Sequence, residues 1–190
     1  MAENMENAQE VKDQFVVEKS EVSFNTWLAK PYVSDNLRQQ LSQSNILLLP
    51  LENFREGTGI IFPTGTDDVF SYLKENSPEN VCVDILVEDS DYKEIALFSD
   101  LLILLGGFIV TSLIAPIFVN LISDYLLKKR LPQKTASQVR IEILVEGYKE
   151  TTRVYYEGSV SDFYETVYPV VESLSSQLNE LKELPSDRNE

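Results

Sequence analysis

The sequence predicts an α+β chain: small mixed-sheet lobes flanking one long apolar, transmembrane helix, in the order β-α-β-TM-β-β-α. Three observations predict it. An uncharged run of 23 residues separates Asp100 from Asp124. Short runs with period-two alternation lie on both sides of it, and a run with apolar residues spaced by threes and fours closes the chain.

The uncharged run, LLILLGGFIVTSLIAPIFVNLIS, has only Thr111, Ser112, Asn120 and Ser123 as polar side chains. As a helix it reaches roughly 35 Å, enough to cross a hydrocarbon core of about 30 Å. Tyr92 and Phe98 before it and Tyr125 after it stand where an interfacial belt places aromatics. Lys128, Lys129 and Arg130 follow as a stop-transfer and headgroup anchor. Acid before and base after predict a cytoplasmic C-terminal lobe by the positive-inside rule. The expected location is therefore a membrane, in a single pass, or re-entrant if Gly106-Gly107 and Pro116 fold the run into a hairpin. Gly106, Gly107, Thr111, Ser112 and Asn120 are the candidates for helix packing or for lining a pore.

Around this segment, residues 1–22 read as a disordered acidic tail with one weak helical turn near Val11 to Phe15. Residues 23–95 form the N-terminal α/β lobe. Phe24, Trp27 and Leu28 are an apolar knot docking on it, with Trp27 a possible partner contact, and Leu37 to Leu41 suggest a short helix. Asn45 to Leu51 is an apolar strand closed by Pro50, and Phe54 to Thr66 is a Gly/Pro loop. Thr66 N-caps a helix with Asp67 and Asp68 in its first turn, stopped by Ser77-Pro78. Val81 to Glu88 is a strand with Val81, Val83, Ile85 and Val87 on one face. Residues 96–130 hold the apolar helix and its basic flank.

Residues 136–184 form a ββα lobe, followed by a tail over 185–190. Val139 to Glu146 repeats the pattern of Val81 to Glu88 as V-x-[VI]-[DE]-I-L-V-E, either a duplication or two uses of one strand recipe. Thr151 to Glu157 is its hairpin partner across Glu146-Gly147-Tyr148. Ser159 and Asp162 have capping-box spacing before a helix with Phe163, Val167, Val170, Val171 and Leu174 on one stripe, which Pro169 kinks or divides.

Composition narrows function more than it names it. The net charge of −15 argues against nucleic acid, because a polyanion offers no counterion release to a polyphosphate. Residues 1–100 carry 19 acidic and 7 basic side chains. With no histidine, the commonest general base and transition-metal ligand are missing, and with one cysteine there is no intramolecular disulfide. Cys82 reads as a buried small hydrophobe. Asp84, Glu88, Glu142 and Glu146 would gather into an oxygen-rich cation setting only if the two matched strands were neighbours. Gly57-Thr58-Gly59 lacks the Gly-Lys-[Ser/Thr] of a phosphate cradle. No cofactor, metal site or enzymatic reaction is expected.

The layout from Leu97 to Leu174 resembles the effector-associated constant component proteins, small accessory proteins encoded with bacterial conflict and defence systems. The matching residues are 101–123, Lys128-Lys129-Arg130, Val139 to Glu146, Val154-Tyr155-Tyr156-Glu157 and Asp162 to Leu174. The resemblance implies an accessory or effector role at a membrane without catalysis. The expected protein is thus a membrane-anchored homo-oligomer that touches lipid and binds a protein partner or signal. The alternative is a soluble α+β adaptor whose apolar helix is buried in a dimer or partner interface.

Overall fold

The computed structural model describes residues 13–52, 54, 59–96, 102–128 and 138–183. In chain order its elements are β1 (Gln14–Ser20), α1 (Phe24–Leu28), α2 (Asp35–Leu41), β2 (Ile46–Leu49), β3 (Leu51–Glu52), β4 (Ile60–Pro63) and α3 (Thr66–Asn76). Then come β5 (Val83–Ile85), β6 (Glu94–Ile95), β7 (Leu102–Thr111), α4 (Ala115–Lys128), β8 (Gln138–Glu146), β9 (Thr151–Ser159) and α5 (Phe163–Glu183). Six strands make one mixed sheet in the order β1-β9-β8-β7-β2-β5, and β3-β4-β6 make a small second one. The expected N- and C-terminal lobes therefore share a single sheet.

The expected membrane helix is not there. The uncharged run is a central strand, β7, then a turn, then the 14-residue α4. At about 1.5 Å per residue α4 reaches about 21 Å, and among the described residues no helix is long and apolar enough to cross a membrane. This overturns the transmembrane or re-entrant reading of residues 96–130 and the membrane location drawn from it. The cause is burial on both faces. Phe108 and Val110 enter the core on one side of the sheet while Ile109 enters the core on the other. A strand covered twice has no polar face and reads as a continuous apolar run. Gly106, at φ +82°, sits where the β7–β8 register shifts after Leu104, a bulge that only a residue without a Cβ adopts freely. A Cβ there would also stand 3.3 Å from Cγ of Pro63. Pro116 lies in the first turn of α4, where a missing N–H costs no helix hydrogen bond.

α3, α4 and α5 cover the first face of the sheet. Val69, Phe118, Ile122, Val167 and Val171 meet Ile46, Val83, Phe108, Ile143 and Val154 in one continuous core. α1 and α2 cover part of the second face, where Leu28, Leu37 and Leu41 pack on Leu47, Leu49, Leu86, Ile109 and Leu144. The apolar side of α4, through Phe118, Val119, Ile122 and Leu126, is thus buried against its own chain's sheet and helices. α5 runs through Pro169 as one helix.

Smaller expectations are corrected as well. Gln14–Ser20 is a strand paired in register with β9, where a tail with a helical turn was expected. α3 is not capped by the Thr66 side chain, which donates to the Pro63 carbonyl at 2.7 Å. Its N-terminus is closed from β6, where the Glu94 carboxylate accepts from Gly65 N and Asp67 N at 3.0 and 3.1 Å. Burial opposes the charge on Glu94, but the Tyr92 hydroxyl and these two amides outweigh it and hold the carboxyl below the usual glutamate range. Cys82 is exposed, because strand alternation turns it away from the core that Val81 and Val83 enter.

The architecture separates two neighbouring substitutions in the uncharged run. Ile109 is 0% exposed and Leu113 is 44% exposed. We expect Ile109→Lys to cost several kcal/mol, on the order of 4, by burying an unpaired charge, and Leu113→Lys to stay within about 0.5 kcal/mol of wild type. Urea unfolding of both variants checks this; equal losses would contradict the strand-then-turn assignment.

Candidate interaction surface

β8, β9 and β1 form one antiparallel end of the sheet, and their second faces carry charge instead of leucine. Arg140 lies directly opposite Glu157, Glu142 opposite Tyr155, and Arg153 opposite Glu18. The Arg140 guanidinium forks onto Glu157, with Nε to Oε2 at 2.9 Å and Nη2 to Oε1 at 2.7 Å. The Tyr155 hydroxyl donates to the same carboxylate. Arg153 bridges two strands, donating from Nε to Glu142 at 2.8 Å and from Nη1 to Glu18 at 2.7 Å. Its guanidinium carbon stands 5.4 Å from the centre of the Tyr155 ring. The apolar cluster beneath α1 and α2, among the described residues, takes in Leu144 of β8 and no residue of β9 or β1.

These contacts set the local electrostatics. Glu157 has a side chain only 9% exposed. The Arg140 fork holds its carboxyl below the usual range, burial works the other way, and the Tyr155 hydroxyl adds to the lowering. Glu146, at the far end of β8, is the opposite case. Burial raises its carboxyl above the usual range against one hydrogen bond, from the Phe24 N–H at 3.2 Å.

On the first face the same end of the sheet is apolar and open. Phe15 and Val17 of β1 are 41% and 45% exposed. Phe15 meets Tyr156 edge-on, with centroids 6.5 Å apart. Burial, then the charges of Asp162 and Asp13, push the Tyr156 hydroxyl up to about 12. Tyr148, at the tip between β8 and β9, is 81% exposed.

The residues predicted to line a helix interface do not share a helix. Gly106, Gly107 and Thr111 lie on β7, and Ser112 lies in the turn after it. Asn120 is exposed on α4 and donates its amide to the Pro116 carbonyl at 2.9 Å. Ser112 is buried, and its hydroxyl has no hydrogen-bond partner among the described residues. Of the expected anchor, Lys128 is exposed and donates to the Tyr72 hydroxyl at 3.0 Å; Lys129, Arg130 and the Gly57-Thr58 pair fall outside the described residues. The four carboxylates do not converge, because β7 and β2 separate β5 from β8. Glu142 pairs with Arg153, and Glu88 accepts from the Ser34 hydroxyl at 2.6 Å. Among the described residues no group of three or more metal-binding side chains is placed to hold an ion.

A cavity of about 540 Å³ that the sequence did not announce opens where β2 and β5 end, lined by Lys30, Tyr32, Glu52, Ile60, Glu88 and Lys93. Lys30 and the Tyr32 hydroxyl both donate to Glu52, at 2.7 and 2.8 Å. Burial, then Glu52, drive the Tyr32 hydroxyl above its ordinary range, so it is no ready base at neutral pH.

No protein-family model, curated protein or solved structure matches the chain.

Arg140→Met strands Glu157 in a nearly buried site and should cost about 1–3 kcal/mol, part of which Glu157→Gln restores. A double-mutant cycle by chemical denaturation measures this coupling, and strict additivity would contradict it. For Glu146, a raised carboxyl contributes stability below the ordinary glutamate range and loses it as pH rises through the folded value. Glu146→Gln keeps an acceptor for the Phe24 amide. It should therefore match or exceed wild type at neutral pH, while wild type gains on it as pH falls through the glutamate range. Parallel melting curves across that range check the sign.

Proposed function

We propose that this chain is a non-catalytic protein-binding module, an adaptor that takes its partner on the β8–β9–β1 end of the sheet. The observation that supports this most directly is the ordered array of Arg140, Glu142, Arg153, Tyr155 and Glu157, whose side chains fix one another on the second face of the sheet's antiparallel end. Arginine and tyrosine are the residues that most often anchor protein interfaces, and here they are held in place before any partner arrives. Tyr148 adds an exposed aromatic at the rim of the same surface. The charges are spent on one another instead of being aimed into a cavity, which supports binding over chemistry. An accessory role in a bacterial conflict or defence system is the setting that the resemblance of residues 97–174 implies.

The test is quantitative affinity capture from the source cells. Tyr148→Ala and Arg153→Ala are compared with Lys74→Ala, on the opposite face. We expect at least one captured protein to fall about tenfold or more with the first two and to be unchanged with the third. Identical capture by all three would overturn the assignment of this surface.

A further inference from the structure

β1 is the outer strand of the six-stranded sheet, seven residues long and in unbroken register with β9. It has no proline and no bulge, and it presents two large apolar side chains, Phe15 and Val17, to solvent. Proteins usually blunt such an edge, since its unpaired N–H and C=O groups are a template for another strand. The opposite edge, β5, is blunted by length, with three residues. Among the described residues no strand pairs with the outer side of β1.

The strand's own sequence says what fits it. From Asp13 the chain reads Asp-Gln-Phe-Val-Val-Glu-Lys. Two copies laid antiparallel with the two-fold axis at Val16 bring Val16 opposite Val16 and Phe15 opposite Val17. Gln14 then faces Glu18, and Asp13 faces Lys19. Apolar meets apolar at the three central positions, the Gln14 amide faces the Glu18 carboxylate, and acid meets base at Asp13 and Lys19, pairings that stabilise adjacent strands. Moving the axis to Phe15 sets Asp13 against Val17, and moving it to Val17 sets Phe15 against Lys19. A one-residue slip would flip one copy over, so that the exposed apolar face of one β1 meets the charged face of the other. Only the Val16 axis satisfies both faces. Asp13 is exposed and has no cation partner among the described residues, and Lys19 holds only the exposed Glu150, at 2.6 Å.

We propose that a second copy of this chain pairs antiparallel along β1, with the two-fold axis at Val16. This makes a closed, isologous dimer whose sheet runs continuously through twelve strands, about twice the length of one copy's. The charged faces of β8, β9 and β1 from both copies join on one side, and the first-face helices of both copies lie on the other. The assembly stands whether or not a third protein binds the charged face. Long-range electrostatics oppose it, since each copy carries −15. Added salt screens that repulsion, so the dimer should tighten from low to physiological ionic strength, the reverse of an assembly driven by net charge attraction.

The experiment is sedimentation equilibrium of the full chain with a charge exchange across the axis. D13K and K19D each place like charges opposite one another twice and should weaken the dimer about fivefold to tenfold. The double variant D13K/K19D restores opposite charges and should return within about threefold of wild type. A second readout keeps the axis falsifiable if a charge variant misfolds. V16C in a C82S background brings two thiols together at the axis, where facing Cα atoms lie about 4.5–5.5 Å apart, within disulfide range. It should cross-link on oxidation, whereas V17C should not. A chain that stays monomeric at every concentration and salt overturns the proposal. So does a dimer indifferent to the charge exchange, or one that V16C fails to trap.

Discussion

Burial of β7 on both faces is the constraint from which the rest of the architecture follows. Phe108 and Val110 need one layer of helices and Ile109 needs another, so the sheet must be sandwiched at its centre. The chain supplies the first layer from α3, α4 and α5 and the second from two short helices that reach only part of the way across. α1 and α2 pack on β2, β7, Leu86 and Leu144, and the Phe24 N–H of α1 reaches Glu146 at the end of β8. Along β8, β9 and β1 the second face turns from leucine to charge. Arg140, Glu142, Arg153, Tyr155 and Glu157 take over where leucine stops.

The same constraint explains which parts of the fold were legible. β8, β9 and α5 alternate or repeat with the period of their element, because each has one buried side that differs from the other. The matched runs Val81 to Glu88 and Val139 to Glu146 share one burial recipe, although only Val83–Ile85 of the first is strand. Both send β-branched residues into the first core, and both send a leucine, Leu86 or Leu144, into the second. β7 carries no such signal, since a strand apolar on both faces and the apolar helix after it merge into one uncharged run. The available punctuation was Gly106-Gly107 and Pro116, and these residues are equally ordinary in a membrane helix. Their meaning comes from the positive φ at Gly106 and from the Pro63 ring beside it, neither of which a sequence displays.

The candidate surface was less legible than the core, for a physical reason. A charge ladder is made of pairs far apart in the chain: Arg153 with Glu18 is 135 residues apart, and Arg140 with Glu157 is 17. Read alone, Glu18 was one acid in an acidic stretch. The strand that carries it was missed because Phe15-Val16-Val17 is only three apolar residues between charges. The helix cap failed similarly. Thr66 has the right chemistry at the right place, but Glu94 arrives from another strand and takes the amides first.

β1 is held to the sheet by means that leave its outer side untouched. Glu18 is fixed inward by Arg153, Phe15 leans on Tyr156, and the backbone is spent on β9 along one side only. An edge strand tied down by its neighbour is stiffer than a free segment, and stiffness lowers the entropy that strand addition must overcome. The Arg153 network therefore has two effects. It orders the charged face, and it presents the far edge of β1 in a fixed register. Loosening it should weaken any pairing on that edge without touching a residue of the edge's apolar face, which ties the polar and the apolar sides of this end of the sheet into one unit.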